Sequence, residues 1–185
     1  MRVISGRAKG RKLKKVPGDT TRPIMDRVKE NLFNILGHTV AGTHWLDLFA
    51  GTGQVGIEAL SRGAAEVVFI DSARPAIRTI QENLRLTGLE KGAQVVPADA
   101  FIYLEQPPDA PFDVIYVAPP QYREVWIEVM RVLDKQPASY LTVGGIVVVQ
   151  IDPKEYRDLA LNNLALYDQR RYGNTQLCFY QLEQA

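Results

Sequence analysis

Leu46-Asp47-Leu48-Phe49-Ala50-Gly51-Thr52-Gly53-Gln54-Val55-Gly56-Ile57-Glu58-Ala59-Leu60 is the stretch that decides the architecture of this chain. It opens as a buried strand, passes through a glycine turn and ends as the start of a helix. Gly51, Gly53 and Gly56 keep the G-x-G-x-x-G spacing, in which residues without a Cβ let a ligand approach the backbone. A second apolar run, Val67-Val68-Phe69-Ile70, ends at Asp71 and Ser72. Asp71 follows Gly51 by twenty residues, where a strand-end acid accepts hydrogen bonds from ribose hydroxyls.

Two nucleoside-bearing cofactors suit such a run. A dinucleotide places its pyrophosphate on the glycine turn and helix N-terminus. Asp47, inside the apolar strand four residues before Gly51, would repel it. A buried carboxylate is costly unless something pairs with it. S-adenosylmethionine carries a sulfonium and an ammonium, so an acid near its methionine end has a physical reason to be there. The sequence therefore favours S-adenosylmethionine, with Phe49, Ala50, Gly51 and Gly53 forming the turn around it.

Working outward, strands are expected near 44–49, 66–71, 93–97, 112–117 and 143–151. Helices are expected near 53–62, 74–87, 99–105, 121–135 and 153–162. This alternation requires right-handed crossovers and a mostly parallel sheet covered by helices. Leu164 to Tyr172, Gly173-Asn174 and Thr175 to Leu182 read as a closing antiparallel hairpin, which finishes methyltransferase sheets rather than dehydrogenase domains. Upstream, Asp26 is expected to cap a helix to about Leu36, with Val28, Leu32 and Ile35 on one face. A length of 185 residues suits one domain, a basic arm over 1–25 and a core over 26–185. No apolar run reaches the length of a membrane span. Cys178 is the only cysteine, expected to be a small buried strand residue in a reducing cytoplasm.

Net charge is nearly zero, but its distribution is uneven. Residues 1–22 hold eight basic residues against Asp19 alone, a net +7, and the remaining 14 basic and 20 acidic residues leave −6. Arg2, Arg7, Lys9, Arg11, Lys12 and Arg22 thus form an arm suited to a polyanion, with Arg27 beside it. Val3-Ile4-Ser5-Gly6 and Leu13 interleave apolar and turn residues, which suits a short ordered hairpin.

Ligands of open α/β sheets sit beyond the carboxyl ends of the strands. Asp99, with Ala100 behind it, follows the third strand and suits both an adenine amino group and a helix cap. Asn83 reads as a helix-surface residue, and Trp45 and Trp126 as packing residues. His38 and His44 have no partner at metal-ligand spacing, so no metal is expected.

Several segments together resemble one family. They are Arg2-Val3-Ile4-Ser5-Gly6 with Gly10-Arg11-Lys12-Leu13, then Thr21-Arg22-Pro23 with Asp26-Arg27-Val28-Lys29-Glu30. Leu46 through Gly53 and Glu58-Ala59-Leu60-Ser61-Arg62-Gly63-Ala64 follow in order. Over nearly its full length the chain is similar to bacterial 16S rRNA guanine-N2 methyltransferases of the RsmD type. The resemblance implies a class I, Rossmann-like fold with a seven-stranded sheet. It implies methyl transfer from S-adenosylmethionine to the exocyclic N2 of a guanine, with 16S rRNA in the small subunit or its assembly intermediate as partner. A monomer is expected.

One segment departs from that family's pattern. Asp or Asn, then Pro-Pro and Tyr or Phe, are expected after the fourth strand, and this chain has Ala118-Pro119-Pro120-Gln121-Tyr122. A guanine N2 is a poor nucleophile because its lone pair is delocalised. Acceptors for its two hydrogens aim that lone pair at the methyl. Ala118 has no side-chain acceptor, while the Pro119 carbonyl remains. Three readings stay open: Gln121 or a nearby Asp supplies the acceptor, the backbone suffices, or the chain binds cofactor and RNA as an assembly factor without methylating. Tyr122 suits either stacking on a flipped base or packing at the rim. A methyltransferase for a non-RNA substrate is a further alternative, opposed by the basic arm.

Overall fold

The structure, a computed structural model, describes residues 1–18 and 23–183. It contains two compact units, Met1–Ala100 and Phe101–Ala185.

In the first unit, α1 (Asp26–Leu36) precedes three strands, β1 (His44–Asp47), β2 (Glu66–Asp71) and β3 (Ala93–Pro97). They lie in the order β3-β2-β1, all parallel, with Asp47 opposite Phe69 and Asp71 opposite Pro97. Trp45, Leu46, Val67, Phe69 and Ile70 are fully buried, as continuous apolar runs in covered parallel strands should be. Helix α2 (Gln54–Ser61) packs on β1 and β2, and α3 (Arg74–Thr87) on β2 and β3. Gly56 is where α2 meets the sheet. A Cβ there would lie 2.3 Å from the Phe69 ring, so glycine is required for the close approach. Helix α3 buries Ala76, Ile77, Ile80 and Leu84 on one stripe and stops at left-handed Gly88.

Helix α4 (Ala100–Leu104) begins at the last residue of the first unit, and the second unit goes on through β4 (Phe112–Val117), α5 (Val125–Lys135), β5 (Leu141–Ile151), β6 (Leu164–Tyr172) and β7 (Thr175–Leu182). Strands β4 and β5 are parallel, and β7 inserts antiparallel between β5 and β6. The expected hairpin is therefore present, turning at Gly173 with φ +58°. Cys178 is buried in β7. The seven strands, mostly parallel with a C-terminal antiparallel hairpin, are those the sequence indicated.

Four local expectations are corrected. Residues 153–162 form only a 3-10 turn, Pro153–Glu155, before a stretch without regular secondary structure. The N–H groups of Asn162, Asn163 and Leu164 donate to the buried Asp134 carboxylate at 2.8 Å each instead of to helical carbonyls. Helix α5 starts at Val125 rather than 121, because Tyr122 and Glu124 have φ of 61° and 55°. Asp26 sits inside the first turn of α1 and pairs with Arg2 at 3.4 Å, while Met25 holds the cap position. Ile35 is exposed, and Leu36 completes the buried stripe with Val28, Lys29, Leu32 and Phe33.

Candidate functional site

Parallel pairing puts the carboxyl ends of β1 and β2 side by side, and the glycine turn joins them. Ala50 donates its N–H to the Ile70 carbonyl at 2.9 Å. Gly51, at φ +57°, donates to Asp71 Oδ2 at 2.9 Å, while Asp71 Oδ1 accepts from Ala73 N–H at 2.9 Å. A carboxylate has about four acceptor positions, so these two bonds leave lone pairs for a diol. Ala98 N–H donates to the Asp71 carbonyl at 3.1 Å, which brings the start of the Asp99 segment to the same strand end.

Asp47 is buried, with 2 % of its surface exposed. Its Oδ2 accepts from the Gly56 N–H at 3.3 Å. Burial pushes its carboxyl up to about 7; the Gly56 hydrogen bond opposes this and the nearby Asp71 charge adds to it. A carboxylate held so reluctantly ionised is stabilised by any cation that reaches it. A Cβ at Gly51 would meet no atom within 4 Å, so space remains beside the turn. An acid for a cation, a second acid with free lone pairs and an open glycine turn together fit a cationic nucleoside such as S-adenosylmethionine.

The structure joins Asp47, Ala50, Gly51, Gly53 and Asp71 through the turn. Gly53 takes φ +77° and caps α2, closing on Ala50 through a 2.7 Å hydrogen bond. Phe49 is half-buried and Ala50 buried within the turn. Ser72 and Asp99 are exposed at the ends of β2 and β3, and Ala100 is buried.

The basic arm is ordered and docked on this unit. Arg2 and Lys12 form one antiparallel bridge, closed by Val3 N–H to the Arg11 carbonyl at 2.9 Å. Val3, Ala8 and Leu13 are buried, whereas Arg2, Arg7, Lys9, Arg11 and Lys12 are exposed. Arg27 is exposed on α1; Arg22 lies outside the described residues. Sequence reasoning missed what fastens the arm. Glu58 of α2, fully buried, accepts from Ile4 N–H at 2.9 Å and Ser5 N–H at 3.0 Å. It also pairs with fully buried Lys29 at 3.3 Å and with Arg62 at 2.9 Å. Burial lowers the Lys29 pKa and Glu58 opposes that shift. Lys29 Nζ in turn donates to the Arg2 carbonyl at 2.6 Å.

Asn83 is the second fastening, and a correction: it is fully buried rather than on the helix surface. Its Nδ2 donates to the carbonyls of Thr52 at 2.9 Å and Lys14 at 3.0 Å, and its Oδ1 accepts from Lys14 N–H at 2.7 Å. A polar residue at an otherwise apolar phase of α3 was the only signal available.

In the second unit, Ala118 to Tyr122 leave β4. Tyr122 is 63 % exposed and left-handed, a costly conformation for a bulky residue, about 1–3 kcal/mol. Its N–H donates to Glu155 Oε1 at 2.6 Å and its hydroxyl to Asp152 Oδ2 at 2.7 Å. Pro120 and Gln121 are exposed, Ala118 is half-buried and Pro119 buried. Trp126 is buried and stacks on Tyr156, a packing role, as is that of Trp45 against Phe33. No helix among the described residues is long and apolar enough to cross a membrane.

The family model described as "Conserved hypothetical protein 95" matches residues 1–181. The chain is 37% identical over 182 residues to YlbH, a provisionally assigned rRNA methyltransferase of Bacillus subtilis strain 168, covering 97% of this chain and 98% of that one. It is 32% identical over 184 residues to ribosomal RNA small subunit methyltransferase D of Escherichia coli K12, covering 99% and 90%. Among solved structures, yhhF of Escherichia coli, provisionally assigned as a methyltransferase, superposes with a TM-score of 0.86 at 32% identity, covering 99% of this chain and 98% of that one.

Proposed function

The chain belongs to the Conserved hypothetical protein 95 family, the RsmD type, and from that premise we propose that it is an S-adenosylmethionine-dependent methyltransferase acting on the exocyclic N2 of a guanine in 16S rRNA. The observation that carries the cofactor half is the buried Asp47 carboxyl beside the Asp71–Gly51 hydrogen bond. Asp47 faces the ammonium end. Asp71 accepts the ribose hydroxyls, and Phe49, Ala50, Gly51, Gly53 and Ser72 line the turn. Asp99 and the Ala100 N–H receive the adenine. Bound there, the cofactor supplies an electrophilic methyl on a sulfonium.

The residues of the chain orient the acceptor and leave the rest to proximity. The Pro119 carbonyl, in the Ala118-Pro119-Pro120-Gln121-Tyr122 loop, accepts one hydrogen of the guanine amine, and Tyr122 stacks on the base. With the cofactor held there, the loop would aim the amine lone pair at the methyl, the thioether would be the leaving group, and the surplus amine proton would pass to solvent. Arg2, Arg7, Lys9, Arg11, Lys12, Arg22 and Arg27 bind RNA phosphate, and the exposure of the first five on an arm bolted to α2, and of Arg27 on α1, supports that role. The whole chain works as one methyltransferase domain, monomeric and cytoplasmic, on the small subunit or its assembly intermediate.

The test is to incubate the protein with labelled S-adenosylmethionine and hypomethylated 30S particles and map the label. A labelled guanine N2 in 16S rRNA supports the reading; label on protein, or none, rejects it. Ala118 favours one second reading, an assembly factor that binds both ligands without transfer. Tight binding of cofactor and particle with no label distinguishes it.

A further inference from the structure

Tyr122 combines three features that a connecting loop does not require. It is a large exposed aromatic, its backbone is left-handed, and it is tied at both ends to acids thirty or more residues away. Both acids belong to the turn that leaves β5. Parallel pairing of β4 and β5, with Val117 opposite Val149, brings that turn to the end of the sheet where the 118–122 loop emerges.

The two acids are themselves fixed by a reciprocal cap. Asp152 Oδ1 accepts from Lys154 N–H at 2.9 Å, and Glu155 Oε2 accepts from Asp152 N–H at 3.3 Å. Each acid then has one oxygen left for Tyr122: Glu155 Oε1 takes the main-chain N–H and Asp152 Oδ2 takes the hydroxyl. Arg157 also pairs at the surface with Glu124, the other non-glycine residue with positive φ, at 2.6 Å. The backbone strain at 122 is thus held by bonds from a separate segment, the circumstance in which strain persists. The hydrogen bond from Tyr122 to Asp152 also contributes to holding the Asp152 carboxyl below its usual range, after the larger effect of the Lys154 N–H.

We propose that Asp152 and Glu155 are positioning residues that latch Tyr122, fixing the aromatic and the two prolines before it in the pose that receives the acceptor base. This rests on the reading of residues 118–122 as the acceptor loop.

Two readouts test the proposal on the full-length chain. The first needs no activity: trypsin cleavage after exposed Arg123, followed by mass spectrometry. Tyr122→Phe removes only the hydroxyl, and Asp152→Ala removes its acceptor. Tyr122→Phe is expected to speed that cleavage about tenfold and Asp152→Ala at least as much, since it also removes the acceptor of the Lys154 N–H, and the double variant no further than Asp152→Ala alone, because the hydroxyl bond is already lost there. Asp152→Asn, which keeps one acceptor oxygen, is expected to restore most of the protection. Unchanged cleavage in Tyr122→Phe and Asp152→Ala overturns the latch.

The second readout is methyl transfer to hypomethylated 30S particles. Tyr122→Phe and Asp152→Ala are expected to lower kcat/KM for the particle about tenfold with cofactor Kd unchanged, and Asp152→Asn to recover most of it. Faster cleavage with unaltered kinetics shows a loop anchor only and overturns the positioning role. A wild-type chain that transfers no methyl to RNA refutes the proposed function, while the cleavage result still decides the latch.

Discussion

Replacing Asp47 by Asn removes a buried negative charge without changing the side-chain shape. The folded carboxyl titrates near 7, against 3.8 in the unfolded chain. The folded state therefore holds its proton over a window in which the unfolded state has released it. Stability is fully present below the unfolded value, falls as pH rises through the window, and is level again above about 7. At about 1.4 kcal/mol per pH unit, keeping Asp47 protonated in the fold costs on the order of 1–2 kcal/mol at pH 5, and ionising it there costs about 4 kcal/mol at pH 8. Asn keeps an acceptor for the Gly56 N–H but brings amide hydrogens into a buried site, a pH-independent cost of about 1–3 kcal/mol. The stability difference between Asp47→Asn and wild type should thus move toward the variant by roughly 2–3 kcal/mol between pH 5 and pH 8. Urea unfolding of both proteins at the two pH values, without cofactor, measures it. A difference that does not change with pH refutes the claim that Asp47 is an unpaired buried acid waiting for a cation. The same reasoning requires wild-type affinity for S-adenosylmethionine to rise from pH 5 to pH 7, by up to tenfold per unit, and the variant to lose that slope.

Asp71→Ala removes the acceptor for Gly51 N–H as well as the one proposed for the ribose, so calorimetry should show cofactor affinity reduced at least tenfold; unchanged affinity removes Asp71 from the site. Replacing exposed Lys9, Arg11 and Lys12 together by Ala should weaken RNA binding and lower the salt slope by roughly 0.7–0.9 for each phosphate that is no longer neutralised, with cofactor affinity intact; a filter-binding salt series that keeps its slope excludes the arm from the interface. Glu58→Gln leaves Lys29 as a buried charge without its partner and should cost about 3–5 kcal/mol in urea unfolding, with faster proteolysis of residues 1–15; a loss under about 1 kcal/mol shows that the pair does not fasten the arm. Ala118→Asn should raise kcat for particle methylation if a side-chain acceptor is missing, and single-turnover rates no faster than wild type indicate that another group already serves.

The glycine turn, the strand-end acids and the alternation of apolar runs are local, and each was legible from spacing alone. So were the closing hairpin, marked by Gly173-Asn174, and the charge of the arm. Local pattern could not say that Asn83 and Glu58 fold inward, because their partners at Lys14, Thr52, Ile4, Ser5 and Lys29 are distant in sequence. Nor could it say that the chain from 156 on is not helical and ends with Asn162, Asn163 and Leu164 donating to Asp134, a partner distant in sequence. The sequence by itself determined where a glycine turn and strand-end acids fall, because both are set by local spacing. Only the tertiary structure decided how the site is held. A buried polar side chain must find a partner wherever the chain brings one, and no spacing rule carries that information.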